Sequence, residues 1–232
     1  IGCAVVTYVL VFYVWYPDVF SNLMPGTKLF LLVLAVEVVL GPCISLVIFN
    51  PAKSRRELFF DYLIVGSIQL GALTYGVASV IDSRPAYVVF VKDRLEVVSA
   101  AELDKSDLLE ASSQNFSEVS WSGLKFICVR ASRDAAERER LLFEDIPLGK
   151  DVQHLPRYYR ECDKSEIFEQ GFAVSKLKSI AGEKQKSEVD SELMKLDDNK
   201  VWLPIMGKMG VWVAIFDRTS SEPIQYIQFD PF

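Results

Sequence analysis

Few side chains in this sequence can carry covalent or acid–base chemistry, and their spacing argues against most of it. His154 is the only histidine, and no GxSxG, HExxH, P-loop or GxGxxG pattern is present. A triad hydrolase needs its histidine beside a nucleophile and an orienting acid. A lone histidine in the Pro-bounded loop "GKDVQHLPRYY" reads instead as a hydrogen-bonded structural or surface residue, with a hydrolase built on His154 and neighbouring acids kept as a remote alternative. Cys128 and Cys162 form no CxxC pair, and with one histidine in the chain a tetrahedral zinc site is not expected. No metal, cofactor or catalytic residue is expected. Asn115-Phe-Ser117 matches a glycosylation sequon, a pattern short enough to arise by chance. The most unusual polar residue is Glu37, set in the apolar run "AVEVVLGP" with no cation within eight residues on either side.

The elements that must position Glu37 follow from how charge is distributed. Of 232 residues, the chain up to Ile81 holds four basic and four acidic residues, whereas 21 basic and 27 acidic residues lie beyond it. The whole net charge of −6 therefore belongs to the second part. Three apolar segments occupy the first part, at residues 1–16, 29–49 and 58–81. A spanning helix needs roughly 20 apolar residues, which the second and third supply. The first is shorter and starts at Ile1 without methionine or a basic flank, so the natural chain is expected to begin upstream and the first helix to be incomplete. It ends in Trp15-Tyr16-Pro17, which suits the interfacial end of a spanning helix better than a signal-peptide cleavage site. The three helices lack the polar face that a soluble helical core normally carries.

Lys53, Arg55 and Arg56 sit in the connection "NPAKSRRE", while residues 17–27 hold no base and one acid, Asp18. The positive-inside rule places the basic connection in the cytoplasm and everything after Asp82 outside it. The expected organisation is three transmembrane helices in 1–81, contacting membrane lipid, and a small extracytoplasmic α+β domain in 82–232, with a mixed or antiparallel sheet. There, Cys128 and Cys162 would meet an oxidising compartment. A disulfide and a pair of unpaired buried thiols both remain open, because bridging depends on geometry. The acidic domain, with no aromatics interleaved in a basic patch, argues against nucleic acid as a partner.

In the second part "AYVVFV" and "LEVVS" read as a hairpin turning at Lys92-Asp93-Arg94. Ser99 and Glu102 have capping-box spacing, predicting a helix over 100–111. A strand is expected over 124–131. A charged helix over 133–146 would carry Leu141, Leu142 and Ile146 to the core and stop at Pro147-Leu148-Gly149. A helix opened by Asp163 and Glu166 would repeat Ile167, Gly171, Val174, Leu177 and Ala181 on one face. Residues 182–192 read as a loop with a short helix. "VWLPIM", "VWVAIF" and "PIQYIQF" close the chain as strands, the last two as a hairpin.

Depth then gives Glu37 a candidate partner. At 1.5 Å per residue it lies roughly 13 Å below Lys28, and Gln69 lies roughly 16 Å above Leu58, which brings both near the middle of a core ~30 Å thick. An isolated carboxylate there costs about 2.5 to 3.5 kcal/mol on insertion scales, so it should be neutral or partnered. The third segment also offers Gly66, Ser67, Gly71, Ala72 and Gly76, with Ser67/Gly71 and Ala72/Gly76 at small-xxx-small spacing. These residues either pack the chain's own helices together or receive a partner helix.

Several stretches resemble the TfpX/TfpZ-type family of type IV pilin accessory proteins. They are "VWYPDVF" from Val14, "VEVVLGPCISLVIFNPAKSRRELFFD" from Val36, "QLGALTYG" from Gln69 and "SRPAYVVFVKDRLEVVSAAELD" from Ser83. "GKDVQHLPRYY" and the ending "QFDPF" match more loosely, and residues 108–123 match poorly. The resemblance implies a bacterial inner-membrane protein, with its C-terminal domain in the periplasm and no enzymatic activity, that assists the major pilin in stability, assembly or display. A pilin waits in that membrane as one long apolar helix with a head outside, so a partner needs a contact in lipid and another beyond it. Glu37, Gln69, Ser67, Gly71, Ala72 and Gly76 are the candidates for the contact in lipid. Other inner-membrane proteins of the pilus machinery are the alternative partners, in which case the chain would tune extension and retraction without holding pilin.

Overall fold

The computed structural model describes residues 8–35, 41–48, 53–103, 105–111, 113–121, 123–183, 193, 195–197, 199–220 and 222–232. The chain divides into two compact units, Ile1–Arg84 and Pro85–Phe232.

In the first unit a π-helical turn, Leu10–Trp15, precedes α1 (Phe20–Leu23), α2 (Gly26–Ala35), α3 (Gly41–Ile48) and α4 (Arg55–Asp82). A capping box starts α4: the Ser54 hydroxyl accepts from the Glu57 N–H at 3.3 Å, and the Glu57 carboxylate accepts from the Ser54 N–H at 2.9 Å. Its 28 residues extend about 42 Å, more than a bilayer core requires. Among the described residues α4 is the one helix long and apolar enough to cross a membrane. Of the three expected spans, the first of them incomplete, the described residues show one, α4; the first segment is described only from residue 8 and contributes the π-helical turn. The second contributes α2 and α3, with residues 36–40 outside the described residues. Tyr16 is buried, and its hydroxyl donates to the Val80 carbonyl at 3.0 Å, fastening the end of the first segment to the end of α4.

The second unit is α+β, built on an eight-stranded mixed sheet. Its strands are β1 (Pro85–Val91), β2 (Arg94–Ser99), β3 (Lys125–Val129), β4 (Tyr159–Arg160), β5 (Phe172–Ala173), β6 (Val201–Gly207), β7 (Gly210–Phe216) and β8 (Gln225–Ile227). The order is β4-β3-β1-β2-β6-β7-β8, with β5 paired to one end of β6. β1 is buried at every position, which explains its unbroken apolar run: it pairs antiparallel with β2 and parallel with β3, and side chains cover both faces. The hairpin turns at Lys92 and Asp93, with Lys92 at φ +57°. β2 joins β6 in parallel, and β6, β7 and β8 form an antiparallel meander.

The helices of this unit are α5 (Lys105–Leu109), α6 (Ala135–Arg140), α7 (Lys164–Gln170) and α8 (Val174–Glu183). α8 lays Val174, Leu177 and Ala181 into a core with Trp202, Val213 and Ile215. A second core gathers Tyr87, Val89, Ile127, Phe116 and Tyr159.

Three expected helices are broken, two of them where a tertiary contact intervenes. The Ser99–Glu102 capping box forms but opens only a 3₁₀ turn, Ala100–Glu102, and α5 then starts afresh at Lys105. The predicted helix over residues 163–181 becomes α7 and α8, because β5 interrupts it to pair Phe172 with Trp202 and Ala173 with Val201. Gly171 permits this approach: a Cβ there would lie 2.5 Å from a Val201 methyl. The charged helix passes from α6 into a π-helical turn, Leu141–Asp145, and a 3₁₀ turn, Ile146–Leu148. Leu142 and Ile146 are 48% and 41% exposed, not core residues as expected, because Asp145 takes the inward position and bonds Arg157. The expected loop and helix at 182–192 lie outside the described residues from 184 onward.

Candidate functional site

In the first unit, α2 and α4 pack with an apolar groove between them of about 350 Å³. Leu29, Leu32 and Val33 form one wall, and Ala72, Tyr75 and Gly76 form the other. Gly76 sets the closeness of the two helices, since a Cβ there would meet a Val33 methyl at 2.8 Å. Tyr75 is 77% exposed and Leu32 62%, so the walls of the groove present apolar surface outward. Such a surface is unremarkable in hydrocarbon, and small residues in it let another backbone approach.

The residues singled out from the sequence therefore divide. Ala72 and Gly76 line the groove, about one and two turns beyond Gln69. A Cβ on Gly66 or Gly71 would meet nothing within 4 Å, so neither serves close packing among the described residues. Ser67 donates to the Leu63 carbonyl at 2.8 Å, within its own helix. The Gln69 side-chain nitrogen is buried and has no hydrogen-bond partner among the described residues. Glu37, its candidate partner, lies outside them. Lys53 pairs with Asp61 at 2.5 Å, and Arg55 and Arg56 are exposed on the first turn of α4.

In the second unit Cys128 and Cys162 are joined as a disulfide, Cα to Cα 5.0 Å, which ties β3 to the approach of α7. His154 lies in a 3₁₀ turn, where its Nδ1 accepts the Asp151 N–H at 3.3 Å and completes a capping box. That geometry commits Nδ1 of the imidazole to the backbone.

Sequence reasoning missed a buried ionic framework. Arg157, only 5% exposed, bonds the carboxylates of Asp107 and Asp145, and its N–H donates to Asp107 at 2.9 Å. Arg130 forms a bidentate pair with Glu137 at 2.7 and 2.9 Å and donates to the Arg157 carbonyl at 2.8 Å. Both guanidinium groups stack on the Tyr158 ring, with centroid distances of 5.0 and 5.1 Å. The available signal was Arg157 itself, flanked by Pro156 and two tyrosines that become buried.

The Arg130 pair holds the Glu137 carboxyl well below the usual range, at about 2, with help from the Arg133 N–H. A depressed acid stabilises the fold above its ordinary value near 4.5 and loses that contribution as pH falls toward 2. Glu137→Gln should accordingly lower stability at pH 7 by on the order of 1–2 kcal/mol after solvent screening. It should also flatten the stability profile between pH 4.5 and 2. Denaturant titrations of the full chain in detergent, read by Trp202 burial, check both effects.

Relatives of the whole arrangement are found among fimbrial assembly proteins of Dichelobacter nodosus. The serogroup I protein is 30% identical over 220 residues, covering 91% of this chain and 84% of the relative. The serogroup E1 protein is 29% identical over the same length and coverage. The protein of serogroups C1 and C2 is 33% identical over 102 residues, 44% of this chain and 78% of the relative. No family model and no solved structure matches. With identity at this level extending from the apolar unit through the α+β unit, the chain belongs to the family of fimbrial assembly proteins.

Proposed function

We propose that the chain is a non-catalytic inner-membrane accessory of type IV pilus biogenesis that holds the major pilin during assembly. The groove between α2 and α4 carries this reading: it is apolar and open, and the small residues Ala72 and Gly76 on one wall are of the kind that let another helix approach. A membrane placement is supported by α4, and a cytoplasmic start of α4 by Lys53, Arg55 and Arg56. The Cys128–Cys162 disulfide supports a periplasmic second unit, since such bonds persist in oxidising compartments. On this reading the chain spans the bilayer more than once, and Glu37 and the Gln69 side-chain nitrogen, which has no partner among the described residues, offer hydrogen bonds at mid-membrane depth.

Ala72 is exposed on α4, so Ala72→Phe should fill the groove without disturbing the fold. The expected result is loss of pilin co-purification by at least about tenfold, equivalent to ~1.4 kcal/mol, with loss of surface pili at normal protein abundance. Glu37→Gln should weaken the same capture. Full piliation and unchanged recovery in Ala72→Phe would reject the groove. Crosslinks to pilus machine subunits in place of pilin would favour a regulator of extension and retraction.

A further inference from the structure

The second unit carries a separate open groove of about 850 Å³ at the C-terminal ends of the parallel strands β1 and β3. Phe90, Val129, Leu141, Leu142 and Ile146 give it an apolar lining. The apolar surface does not stop at the groove, because Phe143 (74% exposed) and Leu148 (75% exposed) lie on the adjoining turns. This surface has a structural cause: the π-helical turn directs Asp145 inward to Arg157, and its neighbours Leu142 and Phe143 are turned out. π-turns inside helices recur at functional sites, and contiguous exposed apolar patches mark interaction surfaces.

The rim selects among occupants. Lys92, Arg94, Arg130 and Arg138 line the groove against two acids, Asp151 and Glu166. Three of these six have internal partners of their own: Arg94 pairs with Glu96 at 2.6 Å, Arg130 with Glu137, and Glu166 with Arg160. Lys92 and Arg138 form no ion pair among the described residues, and both are exposed. An apolar, basic-rimmed groove thus sits on a part of the chain where acids outnumber bases by 27 to 21. Its opening lies about 20 Å along β1 from Pro85, where the chain enters this unit. Its apolar lining, with two exposed cations on the rim that form no ion pair among the described residues, is complementary to a protein segment that carries apolar side chains and carboxylates.

We propose that this groove docks a segment of a partner protein combining apolar side chains with carboxylates, the apolar groups seated on Leu142 and Ile146 and the carboxylates on Lys92 and Arg138. The inference rests on the second unit alone and stands or falls separately from capture in the membrane groove. Full-length chain carrying the photocrosslinker benzoylphenylalanine at position 142 tests it in intact cells, with the adduct mapped by mass spectrometry. The expected adduct lies on a segment of a different protein where apolar residues neighbour Asp or Glu. Lys92→Glu with Arg138→Glu should reduce its yield about tenfold, since rim charges act on the encounter. Ala72→Phe should leave it intact, which separates this test from the one above. An adduct on a second copy, on lipid or on a segment without acids would overturn the proposal. So would its absence, or a yield indifferent to charge reversal.

Discussion

Replacing Arg157 with methionine should destabilise the second unit by about 3–5 kcal/mol, the cost of removing one partner from a buried ion pair. The guanidinium faces Asp107 and Asp145 together, and the side chains of all three are almost completely enclosed. Its loss leaves two carboxylates in a poorly solvated space with no counter-charge, and each must be hydrated, protonated or repelled. Burial already pushes the Asp107 carboxyl above the ordinary aspartate range, against the pull of its hydrogen bonds and charge contact with Arg157. A raised acid favours folding below its ordinary value and loses that contribution as pH rises through the folded value. Without Arg157 the deficit should therefore be smallest in acid and grow toward neutral pH. The triple variant with Asp107→Asn and Asp145→Asn should recover most of the loss, because uncharged groups of similar shape need no cation. Urea midpoints of the three proteins at pH 4 and 7 decide the matter. A pH-independent loss, or no recovery in the triple variant, would assign Arg157 a packing role alone.

The same cluster explains what the sequence could and could not disclose. Strands with their own local signal were legible: the continuous apolar run of β1, and the closing hairpin of β7 and β8. Helix boundaries were less so. The capping box at Ser99 and Glu102 is satisfied, yet the helix behind it ends after one turn and Asp107 is fixed from a new start by an arginine 50 residues away. Helical periodicity through Ile167, Val174 and Leu177 was real on both sides of a break that only the pairing of β5 with β6 imposes. Long-range partners determine such positions, and no window of neighbouring residues contains them. The outward turn of Leu142 and Ile146 belongs to the same class, since it depends on Asp145 facing Arg157. In the first unit the small residues were legible as a set, but distance had to separate Gly76, which meets Val33, from Gly66 and Gly71, which meet nothing described.

Loss of the Cys128–Cys162 disulfide should cost about 4 kcal/mol, the chain-entropy value for a loop of this length. The bond joins residues 34 apart. Between them lie α6, the π-helical turn, three 3₁₀ turns and the two residues of β4. Such short elements lack the internal cooperativity of a long helix or a wide sheet, so the segment depends on its closed ends. Two anchors hold it: the bond at Cys128 on β3, and the framework centred on Arg157. Cys128→Ser with Cys162→Ser should lower stability by that amount, and reductant should cause the same loss in the parent while leaving the variant unchanged. Leu141, Leu142 and Ile146 of the groove lie inside the loop, so its crosslink should weaken in parallel. Thiol trapping in intact cells adds a test of compartment. In an oxidising periplasm neither cysteine should react with an alkylating reagent until reductant and denaturant are added. Modification of both without reductant would return the second unit to a reducing compartment and reverse the topology drawn from Lys53, Arg55 and Arg56.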